Sequence, residues 1–172
     1  FNANPTSTVF EALENINGIR PQLNCNICNT GDIHINGQEG SYTMVLIDGL
    51  PIVSGLSTVY GFSGIPQFLV ERVEIVKGPV STLYGSEAIG GVINLITKLP
   101  ENTAILNVES FVTGWGEVNT DIGFKYRLSN NSSGLLGINY FNYSNAIDKN
   151  QDGFTDLTLQ DRISIFNKIK IG

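Results

Sequence analysis

The fold is decided by the stretch Glu71-Arg72-Val73-Glu74-Ile75-Val76-Lys77-Gly78-Pro79, followed by Leu83-Tyr84-Gly85 and by Gly90-Gly91-Val92-Ile93-Asn94-Leu95-Ile96-Thr97-Lys98. Its alternating and β-branched residues predict two strands, at 72–77 and 92–98. The proline at 79 suits a first helical position, and the glycine at 85 ends a helix of about one turn between the strands. The stretch contains no evident nucleophile–base pair and no phosphate-binding loop before a long helix, so it does not indicate catalysis.

Residues on the amino-terminal side of this stretch continue the pattern of short helices and strands. Residues 8–17 have the spacing of an amphipathic helix, with Thr8 as N-cap, Glu11 completing a capping box and Gly18 as a left-handed stop. Residues 32–36 alternate as a half-exposed strand, and residues 42–49 predict a more buried strand that ends in an Asp-Gly turn. Together these segments predict an α+β layout, with a small mixed sheet and short helices, through Lys98.

A glycine-rich connection at 51–66 separates the strand at 42–49 from the strand at 72–77, and it carries Tyr60 and Phe62. Connections of this length without a helical period are usually functional or disordered. Its two aromatic rings suit stacking on a ligand, and they suit packing within the loop at least as well.

Two cysteines, Cys25 and Cys28, are separated by two residues. A redox motif should begin a helix, but residues rich in Asn and Gly follow these cysteines. A zinc site would need two further ligands at suitable spacing, and His34 is the only histidine. The preferred interpretation is therefore a local structural disulfide between Cys25 and Cys28 in an oxidising compartment, over metal or redox roles.

The part of the chain after Pro100 changes to a period of two. Apolar and polar residues alternate over 106–113, 121–128 and 162–171, and less cleanly over 135–143. Four strands of roughly nine residues match the wall of a transmembrane β-barrel. An antiparallel sheet with one solvated face would alternate in the same way, so the pattern leaves both interpretations open.

Charge and composition exclude several functions. The net charge is −6, and the ten Lys and Arg residues are scattered along the chain, whereas nucleic-acid binding needs clustered basic residues. No apolar run is long enough for a transmembrane helix, and no signal peptide is visible. A hydrolytic enzyme is poorly supported because His34 has no plausible triad partners nearby in the sequence.

An acidic segment, Asp148-Lys149-Asn150-Gln151-Asp152-Gly153-Phe154-Thr155-Asp156, resembles the start of a calcium-binding loop. Oxygen-bearing side chains stand at alternate positions, with a glycine sixth. The candidate Ca²⁺ ligands are Asp148, Asn150, Asp152 and Asp156. Leu159 stands at the twelfth position, where such loops carry a bidentate Glu. Weak calcium binding and an acidic solvated turn both remain interpretations, and no other cofactor is predicted.

Five pieces of the chain, in this order, resemble the plug domain of TonB-dependent outer-membrane receptors. They are the opening helix ending Asn17-Gly18-Ile19, the strand Val45-Leu46-Ile47-Asp48-Gly49, the stretch from Ile65-Pro66 to Gly78-Pro79, Leu83-Tyr84-Gly85, and Gly90 to Lys98. The segment around Cys25 and Asn29-Thr30-Gly31-Asp32 resembles versions from Bacteroidetes, and residues 104–172 resemble the first four barrel strands. The resemblance divides the chain into a plug domain at 1–100 and barrel strands at 101–172, an incomplete wall for a barrel of about 22 strands.

This resemblance implies a non-enzymatic receptor in the cell outer membrane of a Gram-negative bacterium. The plug would gate the barrel lumen during energised uptake of a nutrient such as an iron-siderophore complex or haem. The implied partners are a TonB-type energy-transducing protein and a small-molecule nutrient such as an iron chelate. Tyr60 and Phe62 would lie in an apical loop that faces this ligand.

The resemblance also implies that Glu71, Arg72, Glu74 and Lys77 make polar contacts with the barrel wall, whereas on a soluble domain they would form a solvated face. Four strands of a larger barrel would leave unpaired edges that favour self-association. The alternative is a secreted α+β binding or adhesion module in which residues 104–172 form a closed soluble sheet. The receptor interpretation predicts instead that Ile122, Phe124 and Tyr126 face detergent or a partner chain.

Overall fold

A computed structural model describes residues 6, 8–25, 30–52 and 65–171. In chain order its helices and strands are α1 (Val9–Ala12), β1 (Ile19–Cys25), β2 (Thr30–Ile35), β3 (Thr43–Ile47), β4 (Leu50–Pro51), β5 (Val70–Lys77), α2 (Ser81–Tyr84), β6 (Gly91–Thr97), β7 (Leu106–Val112), β8 (Val118–Ser129), β9 (Ser132–Tyr143) and β10 (Gln160–Ile171). Short 3₁₀ turns at Leu13–Asn15, Gly40–Tyr42, Gln67–Leu69, Ser86–Ala88 and Pro100–Asn102 connect them. In this described part of the chain, no helix is long and apolar enough to cross a membrane.

The first helix begins where the sequence predicts, but it ends at Ala12, well before the end of the predicted segment 8–17. Thr8 has an extended backbone, and its hydroxyl oxygen accepts a hydrogen bond from the backbone N–H of Glu11 at 3.2 Å, as expected for an N-cap. One α-helical turn is followed by the 3₁₀ turn, and Gly18 takes the left-handed conformation with φ of 77°. The segment is thus a compact double turn that buries Val9 and Leu13.

The central sheet consists of β3, β4, β5 and β6 in the order β4-β3-β6-β5. β3 runs parallel to β6, whereas β5 and β4 pair antiparallel with their neighbours. The strands predicted at 42–49, 72–77 and 92–98 all lie in this sheet, so the predicted small mixed sheet is confirmed. The Asp-Gly turn is also confirmed: Asp48 and Gly49 have φ of 50° and 81°, as a two-residue turn between antiparallel strands requires.

The core lies on the two faces of this central sheet. On one face, Val45, Ile93 and Leu95 pack against Val9 and Leu13 and against the β1–β2 hairpin. On the other face, a smaller cluster is formed by Met44, Leu46, Ala88 and Val92. Because both faces are covered, β3 is buried over nearly its whole length, which agrees with its almost continuous apolar sequence.

The terminal sheet consists of β7, β8, β9 and β10, which pair antiparallel with their neighbours in the chain. These strands match the four segments predicted from the period of two. Residues 113–117 and 130–131 form short turns, and residues 144–159 form the long connection between β9 and β10.

The two faces of the terminal sheet differ in chemistry. The inner face, which contacts the amino-terminal part of the chain, carries Asn119, Asp121, Gly123 and Asn139, all buried. The outer face is rich in apolar side chains, among them Leu106, Val108, Ile122, Phe124, Ile138, Ile163, Ile165, Ile169 and Ile171. Ile165 is 69% exposed. Ile122, Phe124 and Tyr126 lie on the outer face, and their contact with detergent or a partner chain stays a prediction.

Candidate functional site

The candidate functional site is the contact between the inner face of the terminal sheet and the amino-terminal part of the chain. Alternate residues of β10 point inward, and four of them interact with that part. They are Arg162, Phe166, Lys168 and Lys170. This last strand is therefore the principal docking strip, because every second side chain along it lies on the same face.

A hydrogen-bonded node joins the central sheet to β10. The ammonium of Lys168 donates to Oδ2 of Asp48 at 2.9 Å, to Oγ1 of Thr97 at 2.7 Å and to the carbonyl oxygen of Thr97 at 3.3 Å. Thr97 in turn donates to the same carboxylate, through its backbone N–H to Oδ1 at 2.8 Å and through its hydroxyl to Oδ2 at 2.6 Å. We call these three residues the Lys168 node.

The geometry of this node favours an ionised Asp48. Partial burial of the carboxylate raises its pKa, but the hydrogen bonds from Thr97 and the ammonium of Lys168 outweigh burial, so the pKa of Asp48 lies below its usual value. The left-handed turn at Asp48 and Gly49 aims the carboxylate at the end of β6. The carboxylate of Asp48 thus holds together the turn, the end of β6 and β10.

A second ion pair ties the connection between the sheets to β10. The ammonium of Lys170 donates to Oε1 of Glu101 at 2.5 Å. The hydrogen bond from Lys170 lowers the pKa of Glu101. Both side chains are about half exposed, so water screens this pair more than it screens the Lys168 node.

A notch formed by two glycines receives apolar side chains from the 3₁₀ turn before β5. Gly123 of β8 and Gly137 of β9 face each other in register. A Cβ atom at Gly123 would lie 1.8 Å from Cζ of Phe68, and one at Gly137 would lie 2.5 Å from Cδ1 of Leu69. Phe68 and Leu69 are almost fully buried and cluster with Leu135 and Phe166. We call Gly123 and Gly137 the glycine notch.

A buried polar cluster lies further along the inner face. The amide nitrogen of Asn139 donates to Oδ1 of Asn119 at 2.9 Å and to Oδ1 of Asp121 at 2.8 Å. The guanidinium of Arg162 approaches Oδ1 of Asn139 at 3.4 Å and lies over the ring of Phe141. It also interacts electrostatically with Glu11 of α1. This polar cluster thus links the inner face of the terminal sheet to α1 through the charge of Arg162.

Among the described residues, the four charged residues that the sequence predicts to contact the barrel wall take no part in the contacts above. Glu71, Arg72, Glu74 and Lys77 belong to β5, an edge strand of the central sheet. The Arg72 guanidinium pairs with Glu74 at 2.8 Å and with Glu71 at 3.5 Å, and Lys77 donates to the carbonyl oxygen of Asn17. Within the described residues these bonds stay inside the amino-terminal part, so contact with a barrel wall stays a prediction for these four residues.

Two other predicted sites include residues outside the described part of the chain. Cys28 of the predicted Cys25–Cys28 disulfide lies outside it, and so do Tyr60 and Phe62, the predicted ligand-facing pair. Both stay predictions.

The predicted calcium loop forms an ordered turn that its own acidic side chains stabilise. The carboxylate of Asp148 accepts hydrogen bonds from the backbone N–H groups of Asp152 and Gly153, at 3.2 and 3.0 Å. The side chain of Asn150 donates to Asp152 at 2.9 Å, and Asp156 accepts from the backbone N–H of Lys149 at 3.1 Å. Across the residues that the structure describes, no three His, Cys, Asp or Glu side chains form a group suited to a metal ion. Calcium binding here stays a prediction.

Sequence reasoning missed the residues that make the docking contact. Asp48, Thr97 and Lys168 lie in three separate strand regions, and the glycine notch pairs with residues more than fifty positions away. One available signal was the position of Lys168 in the alternating pattern of this strand. Ile165 and Ile169 lie on the outer face, so Lys168 must lie on the inner face. A lysine on the inner face is a candidate for an ion pair with the plug domain, and in the structure Asp48 is the partner of Lys168.

Comparison with known proteins agrees with this geometry. The family described as the TonB-dependent Receptor Plug Domain matches residues 1–92. The chain belongs to this family. The plug domain thus includes α1, the β1–β2 hairpin and most of the central sheet, and the terminal sheet follows it in the chain.

Solved receptors share the arrangement of plug domain and barrel strands. The ferric yersiniabactin uptake receptor FyuA from Yersinia pestis has a TM-score of 0.73 at 18% identity, over 97% of this chain and 26% of that chain. A variant of the ferric enterobactin receptor PfeA from Pseudomonas aeruginosa, in complex with enterobactin, has a TM-score of 0.64 at 27% identity, over 86% of this chain and 24% of that chain. The siderophore receptor PirA from Pseudomonas aeruginosa has a TM-score of 0.59 at 25% identity, over 82% of this chain and 26% of that chain.

The chain spans about a quarter of the length of these receptors. The terminal sheet corresponds to antiparallel strands of their barrel wall, and its inner face is the side on which the plug domain rests. The protein is therefore an outer-membrane protein of the Gram-negative type, with a plug domain followed by barrel strands.

Proposed function

We propose that this chain forms the gate of a TonB-dependent receptor that takes up a nutrient across the outer membrane. The observation that supports this most directly is the two-sided chemistry of the terminal sheet. Its outer face is apolar and exposed, as a lipid-facing wall requires, while its inner face is polar and docks the plug domain. In this proposal the plug domain closes the lumen until energy from a partner displaces it.

The proposed nutrient is an iron chelate of the siderophore class, and the proposed partner is a TonB-type energy-transducing protein. PfeA, PirA and FyuA are siderophore or ferric-siderophore receptors by name, which supports the substrate class. The matched family is defined by dependence on TonB, which supports the partner.

A transport role is proposed here rather than catalysis, because the matched proteins are receptors and not enzymes. The alternative of a secreted binding module fits less well. That alternative requires a closed sheet with a solvated face, but within the described residues β7 and β10 do not pair with each other, and the outer face exposes a row of isoleucines.

The proposal is tested by uptake in the source bacterium. Deleting the gene for the full receptor should abolish uptake of one iron-55-labelled chelate from a panel of catecholate, hydroxamate and haem complexes, and the plasmid-borne gene should restore it. Dissipating the proton gradient should stop the restored uptake, because transport is energised by the inner membrane. Unchanged uptake of every chelate after deletion would refute the proposed function.

We also propose that the open edges of the terminal sheet drive self-association of the isolated 172-residue chain. Among the described strands, β7 and β10 each have a neighbour on one side only, and edges of this kind pair readily with other strands. Light scattering of this chain after size-exclusion chromatography in detergent should show oligomers. A monomer at all concentrations would contradict this proposal.

A further inference from the structure

A cleft of about 450 Å³ lies where the connection between the two sheets crosses the inner face of β8 and β9. Pro100 and Ile105 supply apolar lining, and Ser133 supplies a hydroxyl group. Lys125 and Arg127 are the two cations that line it, and Glu101 and Tyr126 complete the lining. This volume is within the range of small-molecule sites, which combine an apolar lining with a few charged groups that select the ligand.

The charge of the inner face changes sign along the strands. On β8, Asp121 lies on one side of the glycine notch, and Lys125 and Arg127 lie on the other. On β10, Lys168 and Lys170 lie at the same end as the cleft, because they pair in register with Leu135 and Ser133 of β9. The cleft end of the inner face is therefore basic, in a chain whose net charge is −6.

Among the described residues, two of these four cations form a salt bridge, and two do not. Lys168 is paired with Asp48, and Lys170 is paired with Glu101. In the part of the chain that the structure describes, Arg127 donates to the backbone carbonyl oxygens of Ser129 and Asn130, at 3.2 and 3.3 Å, and these acceptors carry no formal charge. Among the described residues the ammonium of Lys125 has no hydrogen-bonding partner, and it interacts with Glu101 only through space.

We propose that this cleft binds small organic polyanions, through Lys125 and Arg127 acting together with the hydroxyl of Ser133. Lys125, Arg127 and Lys170 outnumber the single carboxylate of Glu101 at this cleft. This excess of positive charge beside an apolar lining attracts an anion that carries several carboxylate or catecholate oxygens, because each contact with a cation is a charge-assisted hydrogen bond. Such oxygens are the iron-binding groups of many chelates.

The role of the cleft in transport rests on the proposed function. The cleft lies beside the connection from the plug domain to β7 and beside the short turn between β8 and β9. Short turns mark the periplasmic end of an outer-membrane barrel. An anionic iron chelate that has passed the plug domain would therefore meet this cleft as it leaves the lumen.

Citrate is a suitable probe because it is a small tricarboxylate. In isothermal titration calorimetry on the purified full-length receptor, we expect the Kd for citrate to rise at least tenfold in the double variant Lys125→Gln/Arg127→Gln. The matched control is Lys149→Gln, which removes one cation from the long connection at the other end of the sheet and should leave the Kd unchanged. The wild-type affinity should also fall as salt increases, since partly exposed charges are screened. A wild-type receptor that does not bind citrate, or a double variant that binds it equally well, would overturn the proposal.

A transport measurement separates this inference from the proposed function. For the chelate that the receptor takes up, the double variant should show a lower maximal rate with an unchanged half-saturating concentration, because capture on the outer side does not involve the cleft. An unchanged maximal rate would refute the role of the cleft in transport. If the wild type takes up no iron chelate, the proposed function fails, while the citrate titration still decides whether the anion site exists.

Discussion

The ammonium of Lys168 in β10 lies 2.9 Å from Oδ2 of Asp48, 120 residues earlier in the chain. The two side chains are 19% and 31% exposed, so both charges have lost much of their contact with water. An ion pair between positions so far apart forms only when the central sheet and the terminal sheet are docked. The Lys168 node is therefore a direct report of the docking between the plug domain and the terminal sheet.

Replacing Lys168 with Met should weaken this docking. The aliphatic stem is kept, but the carboxylate of Asp48 loses a charged hydrogen-bond donor while it stays partly buried. We expect a loss of about 1–2 kcal/mol in the free energy of unfolding of the full receptor, since hydrogen bonds to charged groups contribute about this much and water screens part of it. Urea denaturation followed by tryptophan fluorescence measures the loss.

The matched control for this variant is Lys170→Met, which breaks a more exposed ion pair on the same face of β10. We expect it to have a smaller effect than Lys168→Met. Equal stability of Lys168→Met and the wild type would contradict the prediction.

The pH dependence of docking follows from the lowered pKa of Asp48. A folded-state pKa below the unfolded value means that the ionised carboxylate stabilises the folded state. Its contribution is fully present above the unfolded pKa of about 4, and it is lost as the pH falls through the lower folded-state pKa. The difference in melting temperature between the wild type and Asp48→Asn should therefore be largest near neutral pH and shrink on acidification. A melting-temperature difference that grows as the pH falls would show that the ionised carboxylate of Asp48 does not stabilise the folded state.

The glycine notch should not tolerate a side chain. In Gly123→Ala the new methyl group would overlap the ring of Phe68, and overpacking of this kind costs about 1–3 kcal/mol. Gly114→Ala is the control, because a Cβ atom there has no heavy atom within 4 Å. Limited proteolysis of the full receptor should show faster cleavage of the plug domain in Gly123→Ala only.

A second substitution tests whether the ring of Phe68 is the cause. Adding Phe68→Leu to Gly123→Ala should slow the cleavage again, because the smaller side chain makes room for the methyl group. Equal rates of plug-domain cleavage in Gly123→Ala and Gly114→Ala would show that the glycine notch does not matter for docking.

The elements of the central sheet could be predicted because their signals are local. Thr8 caps the start of the first helix, the Asp-Gly pair forces a tight turn, and β6 is rich in β-branched residues. The strand β1 was missed because Pro21 lies within it and its sequence lacks a strong apolar alternation. A two-stranded hairpin accommodates that proline, since one side of β1 needs no donor for a ladder.

The docking contact could not be predicted in the same way. Its specificity comes from register between distant strands, which sets Gly123 opposite Gly137 and brings Lys168 to Asp48. The sequence drew attention instead to the alternating charges of β5, where Arg72 and Glu74 are adjacent on one face and pair with each other. A pattern of charges along one strand shows which side chains share a face, but not which distant element that face meets.

Calcium binding by residues 148–156 is tested with terbium, which takes the same oxygen ligands. Trp115 lies beside this loop, because the ammonium of Lys149 is 4.9 Å from the centre of its ring. Excitation of tryptophan in the full receptor should therefore produce terbium luminescence that millimolar calcium removes, as expected for a weak site. Both Asp148→Asn and Trp115→Phe should abolish it, whereas Asp161→Asn, at the start of β10, should not. Luminescence that survives Asp148→Asn would favour the solvated-turn interpretation.

A charged side chain at the centre of the outer face of the terminal sheet should destabilise the protein in a membrane. Ile165 is exposed in the middle of β10, and in a bilayer its side chain would lie against lipid. Ile165→Lys should therefore destabilise the full receptor in membranes by about 2–4 kcal/mol, the cost of a lysine near the bilayer midplane. Phe154→Lys is the control, since Phe154 is exposed to a similar degree but lies in the long connection at the end of the sheet. Folding into vesicles, followed by the mobility shift between unheated and heated samples on gels, should be impaired only for Ile165→Lys. If both variants fold equally well, this face does not contact lipid, because an aqueous surface accepts lysine at either position.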